Sequence, residues 1–150
     1  MKALFLMGSK SDQEFANKII GELDNWGIES EGLVASAHKV PEKVYEIVKK
    51  NNESNENIVY VTIAGRSNGL SGVTAANSIH PVIACPPFKN KDDFTVNINS
   101  TLMMPSDTPV MAVVDPKNAA LAVARIFALK NDELREKIRE RINEIKRSFN

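Results

Sequence analysis

"IVYVTIA", residues 58–64, decides how the rest of this chain is read. It is a short apolar run, too short for a buried helix and not alternating with polar residues, so it predicts a strand covered on both faces. Four more such runs share the chain: "ALFLM" (3–7), "GLVAS" (32–36), "PVIAC" (81–85) and "VMAVV" (110–114). Between them lie longer stretches with helical spacing. Phe15, Ile19, Ile20, Leu23 and Trp26 fall on one helical face, Ser11 and Glu14 have the spacing of a capping box, and Gly27 sits where a helix should stop. A second helix is expected from Pro41 into the polar "KKNNESNEN" (49–57). A third is expected near Leu70 and a fourth over 117–129.

Strands alternating with helices predict a parallel sheet, and right-handed crossovers make it a three-layer α/β/α domain. Five strands suit the flavodoxin-like order 2-1-3-4-5. Residues 1–150 read as a single domain with no repeat or linker. The stretch 88–109 carries little periodicity and predicts irregular structure with one short helix. The last stretch is different: Leu134, Ile138, Ile142, Ile145 and Phe149 make a narrow apolar stripe on a charged helix. Such a stripe fits either the chain's own domain or a neighbouring subunit.

Nineteen basic residues balance nineteen acidic ones, which gives no support to a nucleic-acid or membrane-surface role. An anionic ligand would need a local site. A single cysteine, Cys85, excludes an internal disulfide and a cysteine-based zinc cluster. No apolar run approaches the ~18 residues of a membrane span, and Gly8 and Asp12 cut the first run too short for a signal peptide. A cytoplasmic location is the expectation.

In such sheets ligands bind beyond the carboxyl ends of the strands, near the switch in strand order. The loops expected there are "GSKSD" (8–12), "SAHK" (36–39), "AGRSNG" (64–69) and "CPPF" (85–88). Gly8, Ser9 and Ser11 precede a helix and could hold a phosphate, although Ser11 could equally cap that helix. Asp12 suits a ribose hydroxyl, or merely the helix dipole. Lys39 can neutralise a phosphate, and His38 offers an imidazole, a group that moves protons near neutrality. Gly65 permits close ligand approach, and Arg66 is either a ligand contact or an exposed turn residue. His80, at the entry of a strand, reads as structural. Cys85 reads as a small buried residue with no histidine placed to activate it. A non-catalytic phospholigand-binding module or a signalling receiver is a different class of reading. However, Ala64 and Gly65 stand where a receiver would carry its phosphorylatable Asp.

With these loops in order, the sequence resembles the PurE family, the phosphoribosylaminoimidazole carboxylases of purine synthesis. The motifs are "MGSKSD" (7–12), "SAHKVPE" (36–42), "AGRSNGLSG" (64–72), "PVIACPP" (81–87) and "PKNAALAVARIFAL" (116–129). One branch of the family isomerises N-carboxyaminoimidazole ribonucleotide, and its third-strand loop typically reads like AGAGGAAHLPG. This chain has no histidine in that loop and has "SAHK" rather than SAHR. It therefore looks like the second branch, lyases that carboxylate 5-aminoimidazole ribonucleotide (AIR) with CO2 to 4-carboxy-AIR (CAIR), without ATP, biotin or metal.

The resemblance implies roles for individual positions. His38 matches the general acid/base. Gly8, Ser9, Ser11, Asp12, Ser36, Ala37 and Lys39 match the positions that bind phosphate and ribose. Gly65, Arg66, Ser67 and Asn68 match the loop that receives CO2. It also implies a homo-oligomer, commonly an octamer with a tetramer as the alternative, in which the last helix reaches a neighbour.

Overall fold

The computed structural model describes residues 1–149. Five strands form one parallel sheet: β1 (Lys2–Met7), β2 (Glu29–Val34), β3 (Ile58–Ile63), β4 (Val82–Ala84) and β5 (Met111–Ala112). Their order is β2-β1-β3-β4-β5, the predicted flavodoxin-like arrangement. Six α-helices connect and cover them: α1 (Gln13–Asn25), α2 (Pro41–Asn52), α3 (Gly69–Asn77), α4 (Lys91–Leu102), α5 (Pro116–Phe127) and α6 (Asp132–Arg147). Among the described residues no helix is long and apolar enough to cross a membrane.

The two central strands feed two cores by simple alternation. Ala3, Phe5 and Met7 of β1 join Val59, Val61 and Ile63 of β3 in one cluster. There they meet Ile19 and Leu23 of α1 and Val123 and Phe127 of α5. Leu4, Leu6, Ile58 and Tyr60 point the other way, onto Val44 and Val48 of α2 and Leu70 of α3. A side chain of this size, fully buried, contributes about 1.5–3 kcal/mol. On the second face Thr62 is also buried, and its hydroxyl is 2.6 Å from that of Ser71 on α3.

Register sets the level at which the chain leaves the sheet. Met7 lies opposite both Val34 and Ile63, so the loops beginning at residues 8, 35 and 64 start side by side.

Three expectations need correction. The capping box predicted at Ser11 and Glu14 lies two residues earlier, on Ser9 and Asp12, because a 3-10 turn over Lys10–Asp12 precedes α1. β2 runs over 29–34 rather than 32–36. As an edge strand it needs no continuous apolar run, and its first residues are largely exposed. The 88–109 stretch contains a full helix of 12 residues. Its inward side carries the polar Asn97 and Thr101, so it had no apolar period to read.

The C-terminal stripe divides. Leu134 and Ile138 are buried against the α1/α5 side of the core, and Ile142 packs at its margin. Ile145 and Phe149 run on past it and are 44% and 85% exposed. Arg135 fastens the helix by donating to the carbonyl of Ala128 from Nε at 3.1 Å and Nη2 at 2.9 Å. This satisfies carbonyls that the end of α5 leaves open.

Candidate active site

The loops after the first four strands open into one cleft of about 770 Å³, a volume suited to a small nucleotide. Every residue named from the sequence as a site candidate lines it, except Asn68.

On the β1 side, Ser9 is extended (φ −148°, ψ 156°) and caps the 3-10 turn. Its N–H donates to Asp12 Oδ2 at 2.9 Å, and the Ser11 N–H and hydroxyl donate to Ser9 Oγ at 3.3 and 3.0 Å. Two hydroxyls and a helix start therefore face the cleft together. Burial pushes the Asp12 carboxyl above its ordinary pKa, and the Ser9 N–H opposes this in part.

On the β2 side a turn carries Ala37, His38 and Lys39 outward. It closes with the Val40 N–H donating to the Ser36 carbonyl at 2.9 Å. Pro41 then occupies the first turn of α2, where a missing N–H costs nothing. Lys43 reaches back from α2 to the Val34 carbonyl at 2.7 Å and ties down the end of the strand. His38 makes no hydrogen bond among the described residues. Its ring lies against the start of α3: a Cβ placed on Gly69 would be 3.0 Å from both Cε1 and Nε2. Gly69 is thus a site residue that the sequence reading missed.

The loop after β3 is more constrained than its composition suggested. Arg66 has φ 55°, a left-handed conformation uncommon outside glycine. The Arg66 N–H donates to Asn97 Oδ1, the Asn68 N–H to Ser100 Oγ at 2.6 Å, and the Gly69 N–H to the Ser67 carbonyl at 3.0 Å. Asn68, expected to touch ligand, is instead 4% exposed. Its Oδ1 accepts from the Ser71 N–H at 3.1 Å and the Ser71 hydroxyl at 2.8 Å, and its Nδ2 donates to Thr101 Oγ1 at 2.9 Å. Asn68 turns inward because it caps α3. From this loop Gly65, Arg66 and Ser67 line the cleft.

The loop after β4 adds Pro87, Phe88 and Lys89 to the cleft wall, and α4 adds Asn97. Phe88 packs edge-on to Phe94 with ring centres 5.1 Å apart. Pro87 and Phe88 belong to "CPPF" (85–88), a loop that the sequence places on this rim, whereas nothing in "KNKDDFTVN" (89–97) marks Lys89 or Asn97 as more than part of a polar stretch. Cys85 is fully buried at the base of this loop. Its Sγ donates to the Val114 carbonyl at 3.6 Å, and burial, with Asp115 adding to it, pushes the thiol up to about 12. It is the small buried residue expected from the sequence.

His80 is at the other end of the sheet. Its Nε2 lies 3.1 Å from the Asn51 carbonyl, to which it can only donate, and its backbone N–H donates to Ser78 Oγ at 2.9 Å.

The comparisons with known proteins agree with this geometry. The model of the AIR carboxylase family matches residues 2–148. A phosphoribosylaminoimidazole carboxylase of Archaeoglobus fulgidus is 50% identical over 138 residues, covering 92% of this chain and 75% of that one. The crystal structure of Treponema denticola PurE superposes with a TM-score of 0.92 at 39% identity, covering 99% of this chain and 93% of that one. An N5-carboxyaminoimidazole ribonucleotide mutase of Methanocaldococcus jannaschii is 39% identical over 137 residues, covering 90% of this chain and 84% of that one. A five-stranded 2-1-3-4-5 sheet, a cleft at its switch point and a family match over nearly the whole chain converge: this chain belongs to the AIR carboxylase family, carboxy-lyases of purine biosynthesis.

Proposed function

We propose that this chain carboxylates AIR directly with CO2 to give CAIR, with His38 as the general acid/base. The observation that carries this reading is the pairing of two loops across one cleft. One holds His38 free of hydrogen bonds among the described residues. The other holds Arg66 and Ser67 with no histidine between residues 64 and 72.

The chemistry follows from the substrate. The amino group of AIR makes the neighbouring ring carbon electron-rich, so that carbon attacks CO2 and a C–C bond forms. The adduct carbon is tetrahedral and bears a proton and the new carboxylate. His38 removes that proton, the C–H electron pair returns to the ring, and aromaticity is restored. In reverse, His38 protonates the carbon and CO2 departs. Arg66 and Ser67 meet the charge that develops on the carboxylate. Ser9, Ser11, Ser36 and Lys39 hold the phosphate, Asp12 accepts from a ribose hydroxyl, and Gly8, Ala37 and Gly65 leave room for the ligand to lie close. These groups suffice for the bond changes without ATP, biotin or a metal.

The mutase named in the Methanocaldococcus relative is the second reading. A paired assay without ATP separates the two by following the ultraviolet absorbance of CAIR. One arm supplies AIR, CO2 and carbonic anhydrase, and the other supplies fresh N-carboxyaminoimidazole ribonucleotide. Turnover from AIR and CO2 alone is expected. Turnover from the N-carboxylated nucleotide alone overturns the direct reaction in favour of the mutase.

The same reading makes the chain a homo-oligomer, an octamer or a tetramer, with Ile145 and Phe149 covered by a neighbour. Ile145 is exposed on an otherwise charged helix and Phe149 just past its end, which supports it. Light scattering of the Phe149→Ser variant should show a smaller or weaker assembly than the unmodified chain.

A further inference from the structure

Asn97 is a buried amide on α4, and it lines the cleft. It is 6% exposed, and both ends of its side chain are engaged. Oδ1 accepts from the Arg66 N–H in the loop after β3. Nδ2 donates to the Pro87 carbonyl, 2.6 Å away, in the loop after β4. One side chain therefore clamps two of the four rim loops. An amide is the neutral group that offers one acceptor and one donor at this spacing.

Three further details show that the clamp sets the shape of residues 65–68. Arg66 is held at φ 55°, a conformation unfavourable for a non-glycine residue that persists where the surroundings impose it. Gly65 has no room for a side chain on that side, because a Cβ there would lie 3.0 Å from Asn97 Nδ2 and 3.3 Å from Oδ1. The next turn of the same helix face repeats the pattern: Ser100 accepts from the Asn68 N–H, and Thr101 accepts from the Asn68 amide while donating to the Asn97 carbonyl at 2.8 Å.

We propose that Asn97 is a positioning residue for the CO2 and carboxylate end of the reaction. By accepting from the Arg66 N–H it holds the loop so that the Arg66 guanidinium and the Ser67 hydroxyl face the reacting carbon rather than solvent. This rests on the reading of residues 65–67 as the seat of CO2. It adds that the seat is built by α4, and that nucleotide binding, which uses the β1 and β2 loops, does not depend on it.

The test compares the unmodified chain with Asn97→Leu and Asn97→Asp, with nucleotide affinity measured by calorimetry and CO2-dependent turnover by absorbance. Asn97→Leu has nearly the same shape but neither bond. It should bind AIR within about twofold of the unmodified chain and lose roughly tenfold or more in turnover at fixed CO2. Asn97→Asp keeps the acceptor for Arg66 but loses the donor to the Pro87 carbonyl, and should recover part of that loss. Should Asn97→Leu fail to fold, Asn97→Ala, which adds no apolar bulk, is read by the same criteria. Unchanged turnover in the Leu or Ala variant overturns the proposal. So does nucleotide affinity that falls in step with turnover, which would mark Asn97 as a support of the whole cleft. Asn97→Asp no better than Asn97→Leu also overturns it. An unmodified chain that binds AIR but does not use CO2 overturns the reading of the seat, and this inference with it.

Discussion

The two histidines of this chain stand at opposite ends of one sheet and live under opposite rules. His80, at the entry to β4, is tied to the fold through its ring and its backbone. Its ring donates to the Asn51 carbonyl, its backbone N–H meets Ser78 Oγ, and its ring lies 6.3 Å from that of Tyr60. His38, in the turn after β2, has an exposed ring with no hydrogen bond among the described residues, laid against the backbone of Gly69. The difference teaches where to look for chemistry in a parallel α/β sheet. The His80 ring, donating from Nε2 to a carbonyl, has that proton fixed by the fold, whereas the His38 ring is held by packing and commits no nitrogen to a hydrogen bond among the described residues.

Exchanging the two effects is the strongest way to break that contrast. His38→Asn should lower turnover ~10²-fold or more and leave thermal stability unchanged, because no hydrogen bond is lost. Steady-state kinetics paired with a thermal melt checks both halves. Near-normal turnover would remove His38 from the mechanism.

Gly69→Ala sharpens the contrast from beneath the ring. The new methyl would crowd His38 at 3.0 Å and tilt it off the helix start. Turnover should fall by roughly tenfold. Stability should hold or rise by up to about 1 kcal/mol, since alanine favours the helix over glycine. Activity and stability moving together would contradict the packing account.

His80→Ala is the mirror experiment. It should cost about 1 kcal/mol of stability, read from the denaturation midpoint, while the folded protein turns over normally.

Asp12→Asn gives a smaller effect on stability, with a defined sign. The folded Asp12 carboxyl titrates above its unfolded value, so its contribution is present at low pH and is lost as pH rises through the folded pKa. The amide should therefore leave the protein equally or slightly more stable at neutral pH than the unmodified chain, and flatten its loss of stability as pH rises above the ordinary carboxylate range. Its Oδ1 can still accept from the Ser9 N–H. The KM for nucleotide should rise severalfold if the carboxylate accepts from ribose.

The smallest effect belongs to Cys85. With its thiol pushed up to about 12 and its side chain fully buried, it should resist a thiol reagent at pH 8 in the folded state. It should react once urea unfolds the chain.

The parts of the molecule that sequence made legible share one property: their pattern is repetitive or local. β1 and β3 are read from unbroken apolar residues, and α1 and α5 from their apolar faces. The rim loops follow from where those strands stop, which is why Ser9, Asp12, His38, Lys39 and Arg66 could be placed on one cleft in advance. Asn68 was misplaced because a polar residue before a helix serves ligand or cap equally well in sequence. Only the partners Ser71 and Thr101 decide between them. α4 was read as mostly irregular because its buried face is polar, built to bond with a loop rather than to fill a core.

The sequence by itself determined the layers, the strands and the loop that follows each strand, because alternation and helical period follow from geometry that every strand and helix shares; it suited the order 2-1-3-4-5, which the sheet then fixed. Tertiary structure alone decided which polar groups are spent on the fold and which face the cleft. Gly69 beneath His38, Asn97 across Arg66 and Pro87, and the inward turn of Asn68 all join residues brought together only when the sheet is built. A hydrogen bond consumes a donor without leaving any mark in composition, so no pattern along the chain can report it.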